Sequence, residues 1–224
     1  MRRHTIRDFR DVRFLWMIVI ALGIVGLSRV ATAVIINPSQ SLSPVGSGAF
    51  TGSLANDTGS ESFSGTDIFN NVVFFGLIDS RVYVDSGTGK LDFTYQFSNN
   101  ANSPDSIEQM TVGGYAGLIT DADYVPATGA AIPSLVTRSS SGDLIGFSFP
   151  GSSAVLQGQT TDLLVIKTNA TNYALSNAAI QDGGNGNVTV FAPAPPVVPE
   201  PTTAVIAGFT LCAFAMRRRR AGQR

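Results

Sequence analysis

The sequence predicts an all-β protein: a single β-sandwich of jelly-roll or immunoglobulin-like type, flanked by an N-terminal signal helix and a short C-terminal membrane helix. Residues 34–191 are rich in Ser, Thr, Gly and Asn and contain two lysines and two glutamates, a composition that favours strands and turns over surface helices. Short apolar segments in this range are separated by turn-forming residues, as in β-sandwiches. No repeat of fixed period is visible, which argues against a solenoid or propeller.

Two hairpins carry the clearest strand patterns. Residues 81–85 alternate polar and apolar side chains, residues 86–89 (SGTG) predict a turn, and residues 91–97 (LDFTYQF) alternate again. Residues 134–149 predict a second hairpin of the same design, with its turn at the Ser-rich, Gly-containing centre. Each hairpin therefore has one apolar face for a core.

Further strands are predicted from shorter apolar segments. Residues 71–78 (NVVFFGLI) are nearly all apolar and predict a central strand; a buried helix is the alternative, disfavoured by the Val and Phe content and the short length. The remaining predicted strands span residues 34–36, 50–54, 107–112, 163–167 and 188–191.

Charge is distributed very unevenly along the chain. Residues 1–33 contain six arginines and two acids, and residues 200–224 contain five arginines and one acid. The 166 residues between them contain four basic and thirteen acidic side chains, so the net charge of −1 conceals a body of about −9. An acidic body argues against nucleic-acid binding, which needs clustered Lys and Arg.

The rare reactive side chains also lie in the two basic ends. The only histidine is His4 and the only cysteine is Cys212. Residues 34–199 therefore lack the groups for a Ser-His-Asp triad, a Cys-His nucleophile, a disulfide framework or a Cys/His zinc site.

Residues 1–33 predict a secretory signal peptide. A basic segment, residues 1–13, precedes an uninterrupted apolar run of 14 residues, 14–27, shorter than the roughly 20 that span a bilayer. Ala31 and Ala33 form a small-x-small cleavage site, which predicts cleavage before Val34. An uncleaved anchor helix is the alternative.

The C-terminal end has three segments in fixed order. Residues 192–201 form a Pro-rich linker that ends in a Val-Pro-Glu-Pro motif, and residues 202–216 predict a short transmembrane helix. Residues 217–224 form an Arg-rich tail that resists translocation and is expected to stay cytoplasmic. The sorting-motif residues are Pro199, Glu200, Pro201, Arg217, Arg218, Arg219 and Arg220. A plain tail anchor or a basic interaction tail is the alternative.

The motif, helix and arginine cluster together resemble the PEP-CTERM sorting signal of Gram-negative bacteria. The resemblance implies that an exosortase-type membrane protease removes the tail after a transient stay in the inner membrane. It also implies export by the secretion machinery to the cell surface or extracellular matrix. The same tag is also called the C-terminal domain of ice-binding proteins, which describes the tag and not the body. Residues 91–100 and 162–173 resemble segments of uncharacterised PEP-CTERM proteins, and this resemblance implies no activity for the body.

Calcium is the one cofactor that the body's composition suggests, since hard cations take oxygen ligands from loops. The candidate ligands are Asp105, Asp121, Asp123 and Asp182, in loops that fit no calcium-binding signature. Turns stabilised by Asp and Asn side chains are the alternative, and no cofactor is expected otherwise.

Catalysis in the body would need paired carboxylates, as in glycosidases. The candidates are Asp92, Asp121, Asp123 and Asp143, but thirteen acids produce such pairs by chance, and we expect no enzyme activity. The sequence therefore predicts an exported bacterial cell-surface or extracellular-matrix protein with a structural or interaction role. A carbohydrate-binding module or adhesin of the exopolysaccharide matrix, using Tyr or Phe beside Asn and Asp, is the alternative.

Overall fold

The computed structural model describes residues 35–48 and 51–194. The cleavage-site residues Ala31 and Ala33, the sorting motif with Pro199, Glu200 and Pro201, the predicted membrane helix and the arginine tail all lie outside the described residues. The predictions for the two ends therefore stay predictions.

The described part of the chain is all-β. It contains one short 3-10 turn, Gly151–Ser153, and none of its helical segments is long and apolar enough to cross a membrane. Its strands are β1 (Ser41–Leu42), β2 (Gly52–Thr66), β3 (Val72–Asp85), β4 (Leu91–Asn99), β5 (Gln109–Val112), β6 (Thr120–Val125), β7 (Leu135–Arg138), β8 (Ile145–Ser148), β9 (Leu163–Thr168), β10 (Tyr173–Gln181) and β11 (Asn185–Pro193).

All eleven strands belong to one antiparallel sheet in the order β1-β7-β8-β5-β10-β11-β2-β3-β4-β9-β6. The pairing of β11 with β2 is confined to Asn185 and Thr66. Further along β11, the amide of Phe191 donates to Ser80 Oγ at 2.9 Å, and Tyr95 Oη donates to the Phe191 carbonyl at 2.6 Å. The sheet thus curls over itself, and its two halves enclose the core.

Aromatic side chains fill the space between the two halves. Phe93, Tyr95 and Phe97 alternate along β4 and are fully buried, as the sequence pattern predicts. Phe97 packs edge to face on Phe149, with ring centroids 5.7 Å apart, and on Phe63 at 6.3 Å. These aromatic contacts join β4 to the β8 end and to β2, which holds the two halves of the sheet together.

A buried arginine fixes the N-terminal segment and two loops. Arg138, at the end of β7, is 5% exposed, and burial lowers the pKa of its guanidinium. The guanidinium donates to the carbonyls of Ile36 (2.9 Å), Tyr115 (2.8 Å), Leu118 (2.9 Å) and Gly142 (3.0 Å). One side chain thereby satisfies four acceptors from three separate segments.

The structure confirms the main strand predictions. β3 pairs with β4, β7 pairs with β8, and residues 71–78 fall mainly in β3, which lies between β2 and β4 as a central strand. The predicted strand at residues 34–36 is reduced, within the described residues, to a single bridge between Ile35 and Asp121. β2 continues to Thr66, far beyond the predicted end at residue 54.

The two-residue strand β1 and the longer strands β6 and β10 were not predicted, and β11 is longer than expected. β10 (YALSNAAIQ) is rich in Ala and poor in β-branched residues, and β6 (TDADYV) has two acids. Both form because neighbouring strands supply hydrogen bonds along their length. β11 includes Ala192 and Pro193, the first two residues of the predicted linker.

Candidate functional site

An open groove of about 620 Å³ lies where several strands end together. Strands β2, β11, β10, β5 and β8 reach the same end of the sheet. There, five residues lie side by side in register, one on each strand: Thr66, Asn185, Gln181, Gln109 and Ser148. We call this the polar groove; its charged and amide side chains are Asp67, Glu108, Asp182, Gln109, Gln181 and Asn185. Antiparallel register thus collects polar groups from distant parts of the sequence.

One wall of the polar groove is a rigid turn between β2 and β3. The Asp67 carboxylate accepts from the amides of Phe69 and Asn71, both at 2.8 Å, and from Asn71 Nδ2 at 3.0 Å. These hydrogen bonds, led by those from Asn71, lower the pKa of Asp67. The turn presents Ile68 and Phe69 to solvent, 89% and 76% exposed. Two large apolar side chains therefore stand beside a polar surface without a partner in the described chain.

Asp182, one of the calcium candidates, lines the other side of this groove, and Asp105, a second candidate, lies near it across Ser106. Ser106 Oγ donates to Asp182 Oδ2 at 2.8 Å, and the Ser106 amide donates to Asp105 Oδ1 at 2.8 Å. Burial raises the pKa of Asp182, and the nearby charges of Asp105 and Glu108 raise it further, against the hydrogen bond from Ser106. The groove therefore has a negative potential.

Asp123, a third calcium candidate, holds a loop in place. Its carboxylate accepts from the amides of Val45, Gly46 and Ser47 at 3.1, 3.0 and 2.9 Å, and from Ser47 Oγ at 2.7 Å. The amide of Tyr124 donates to the same carboxylate at 2.9 Å. A carboxylate with five donors is well suited to fixing backbone.

Asp121 lies two residues earlier on β6, on the same face as Asp123. Lys167 on β9 pairs in register with Asp121 on one side and with Asp92 of β4 on the other. We call Asp121, Lys167 and Asp92 the acid–lysine row. Tyr83 of β3 pairs with Asp92 and extends the row by one strand.

Asp92 is the unusual member of the row. It is 2% exposed, and its Oδ2 has no hydrogen-bond partner among the described residues. Burial raises the pKa of Asp92 to about 6; the charge of Asp85 adds to this effect, while Lys167 opposes it. The structure thus brings two of the candidate catalytic carboxylates, Asp92 and Asp121, onto one face with a lysine between them.

Of the two remaining candidate carboxylates, Asp123 holds the loop described above and Asp143 lies apart. Asp143, in the loop between β7 and β8, accepts from the Gly114 amide at 3.1 Å. Within residues 35–48 and 51–194, no three Asp, Glu, His or Cys side chains are grouped so as to hold a metal ion. Calcium binding stays a prediction that would depend on backbone and amide oxygens as further ligands.

Sequence reasoning did not single out Asp67, Glu108 or Lys167 as site residues. Asp67 precedes an Asn-Asn pair by three residues, which is a turn signal that could have marked the rigid turn. Lys167 is one charge in an otherwise apolar strand, LLVIKT, and such a charge needs a partner. Glu108 gives no signal of its own, because only strand register brings it to the groove.

No protein-family model, curated protein or solved structure matches this chain. The resemblance of the C-terminal end to the PEP-CTERM signal therefore depends on the residues quoted for it. Function has to be inferred from the residues and the geometry described above.

Proposed function

We propose that this chain is an exported bacterial protein of the cell surface or extracellular matrix, and that its β domain has a structural or interaction role rather than a catalytic one. The signal-peptide pattern of residues 1–33 and the PEP-CTERM pattern of residues 198–220 support export and sorting. Its expected partners are the secretion machinery, an exosortase-type protease and, transiently, the inner membrane. The acidic body does not suit nucleic acid.

The β domain on this proposal is a sandwich of jelly-roll or immunoglobulin-like type. The single paired position between β11 and β2 and the crossing of β11 over Ser80 and Tyr95 support two facing layers. A closed body of this kind leaves its strand ends and loops as the surface for recognition.

The observation that carries the interaction role is the polar groove beside the exposed turn. Carboxylates and amides supply hydrogen-bond acceptors and donors over a wide, open surface. Phe69 and Ile68 stand exposed next to it on a turn that Asp67 holds rigid, so little ordering is needed on binding.

This combination favours a carbohydrate of the exopolysaccharide matrix as the bound partner. Sugar hydroxyls match groove side chains such as Asn185 and Gln181, which both donate and accept. Phe69, exposed on the adjacent turn, can cover the apolar face of a sugar. The groove is open, which suits a chain that passes through it rather than a small enclosed ligand.

Sorting is tested by the intact mass of the protein recovered from the surface or medium of its native host. The proposal expects a mass that lacks residues up to Ala33 and residues beyond the Pro199–Pro201 triplet. A mature protein that retains Arg217 to Arg220 would contradict sorting and indicate a plain tail anchor.

Groove binding is tested with exopolysaccharide purified from the same host and the full chain carrying Phe69→Ala or Asn185→Ala. Each substitution is expected to weaken binding roughly tenfold, which corresponds to about 1.4 kcal/mol. Leu175→Ala is the matched control, because Leu175 is 64% exposed on β10 but lies toward the opposite end of that strand. Equal binding by Asn185→Ala and the control would contradict a role for the groove, and equal binding by Phe69→Ala and the control would contradict a role for the exposed turn beside it.

A further inference from the structure

The acid–lysine row places an amine between two carboxyl groups on neighbouring strands. Lys167 on β9 is directly opposite Asp92 of β4 and directly opposite Asp121 of β6. Directly opposed residues of antiparallel strands project on the same face with Cβ atoms about 4.5–5.5 Å apart. The lysine side chain is longer than this separation, so its nitrogen can reach the carboxyl carbon of either neighbour.

Asp92 has the properties of a reactive acid rather than of a solvated charge. It is 2% exposed, and its Oδ2 lacks a hydrogen-bond partner within the described part of the chain. Burial and the charge of Asp85 raise its pKa to about 6, so at neutral pH a minor fraction of the side chain is still the neutral acid. The carbon of a neutral carboxylic acid is far more electrophilic than the carbon of a carboxylate.

We propose that Lys167 and Asp92 form an intramolecular isopeptide bond, with Asp121 as the group that transfers the proton. A proton passes from the Lys167 ammonium group to the Asp92 carboxylate, which leaves an amine and a neutral acid. The lone pair of the Lys167 nitrogen then attacks Cγ of Asp92, and a C–N bond forms. The Asp121 carboxylate accepts one N–H proton and passes it to the departing hydroxyl. The C–O bond breaks and one water leaves, so Asp121 returns to its starting state and no oxidant or reductant is needed.

The bond would join β4 to β9 covalently. Both strands are internal to the sheet, since β4 lies between β3 and β9, and β9 lies between β4 and β6. Residues 92 and 167 are far apart in the sequence, so the cross-link restricts the unfolded chain in the way a disulfide does. It does so in a body that has no cysteine.

The test is mass spectrometry of the full chain after denaturation and tryptic digestion. The expected intact mass is lower than the sequence mass by one water, after any terminal processing is accounted for. Trypsin does not cut after an acylated lysine, so residues 91–138 should appear joined to a peptide in which Lys167 is uncut. Fragmentation of that peptide should place the link on Asp92.

Variants of the row distinguish an isopeptide bond between Lys167 and Asp92 from a plain ion pair. Lys167→Arg keeps the charge but cannot form the amide, and Asp92→Ala removes the acceptor, so both should have the full sequence mass. Asp121→Ala should slow the loss of water severalfold. Lys90→Arg, which changes the body's other lysine, should leave the link intact.

A folded wild-type chain with the full sequence mass and separate tryptic peptides would overturn the proposal and leave an ion pair only. A link to Asp121 in place of Asp92 would overturn the assignment of roles. Because the wild-type mass decides the question, a variant that fails to fold does not weaken the test; circular dichroism of Lys167→Arg checks its fold.

Discussion

Replacing Arg138 with methionine tests whether one buried guanidinium holds the N-terminal segment and two loops on the body. The substitution keeps an unbranched apolar stem, although a shorter one, and removes every donor. The carbonyls of Ile36, Tyr115, Leu118 and Gly142 then lose a hydrogen bond each. Three of these contacts are buried and the one to Leu118 is partly buried, so water can replace the lost donor at that position most easily.

The expected loss is a large part of the stability of the domain. Each buried acceptor left without a donor costs about 1–3 kcal/mol. The variant no longer buries a guanidinium charge, and the desolvation cost that it avoids offsets part of this total. We therefore expect Arg138→Met to lower the free energy of unfolding by about 3–5 kcal/mol, against roughly 5–15 kcal/mol for a whole domain. At about 2–4 °C per kcal/mol for a domain of this size, Tm should fall by roughly 10 °C.

Urea unfolding followed by circular dichroism gives the comparison, with Arg81→Met as the matched control. Arg81 is the other arginine of the body, and its side chain is 38% exposed. It pairs with Asp57 at 2.8 Å and Asp79 at 3.7 Å on the surface, where ion pairs contribute about 0–1 kcal/mol. If the two variants differ from each other by less than about 1 kcal/mol, the assignment of Arg138 as the anchor is wrong.

Three further predictions follow from buried polar groups. In the Lys167→Arg chain, where Asp92 stays a free acid, stability should fall by about 1–3 kcal/mol as pH rises from about 4 to 6, because the pKa of Asp92 is raised to about 6 in the folded state. The stabilisation that Asp92 contributes is complete below its pKa in the unfolded chain and lost above its pKa in the folded chain. Urea unfolding at pH 4 and pH 7 should show this loss, and adding Asp92→Asn should abolish it. Tyr95→Phe removes a donor from a carbonyl of β11 at 2.6 Å and should cost about 1–2 kcal/mol; an unchanged urea midpoint would contradict this. Asp123→Ala should speed amide hydrogen exchange at residues 45–47, and protection equal to wild type there would show that another group holds the loop.

Local alternation was sufficient to predict the hairpins and much of the core. In β4, Phe93, Tyr95 and Phe97 alternate with polar residues, and the apolar set lies inside. Such patterns depend on neighbours in the sequence, and the tight turn between β3 and β4 sets the register without help from the rest of the chain.

The sites could not be predicted in the same way, because non-local register assembles them. Asp105 meets Asp182 through Ser106, and Lys167 meets Asp92 and Asp121 across three strands. No property of these residues in sequence specifies which strands become neighbours. Polar residues in β4 illustrate the same limit: alternation predicts Asp92 on the solvent side, yet it is buried there.

The contact between β2 and the last strand also governs when the body can fold. Asn185 and Thr66 form the pairing that unites the two halves of the sheet, and Tyr95 finds its acceptor at Phe191. Both contacts span more than half of the described chain, and contacts of such large sequence separation form slowly. The two halves cannot close until the ribosome has released the final strand, so the chain stays open during most of its synthesis. An unfolded chain is the form that a secretion channel threads, so late closure suits the export proposed above.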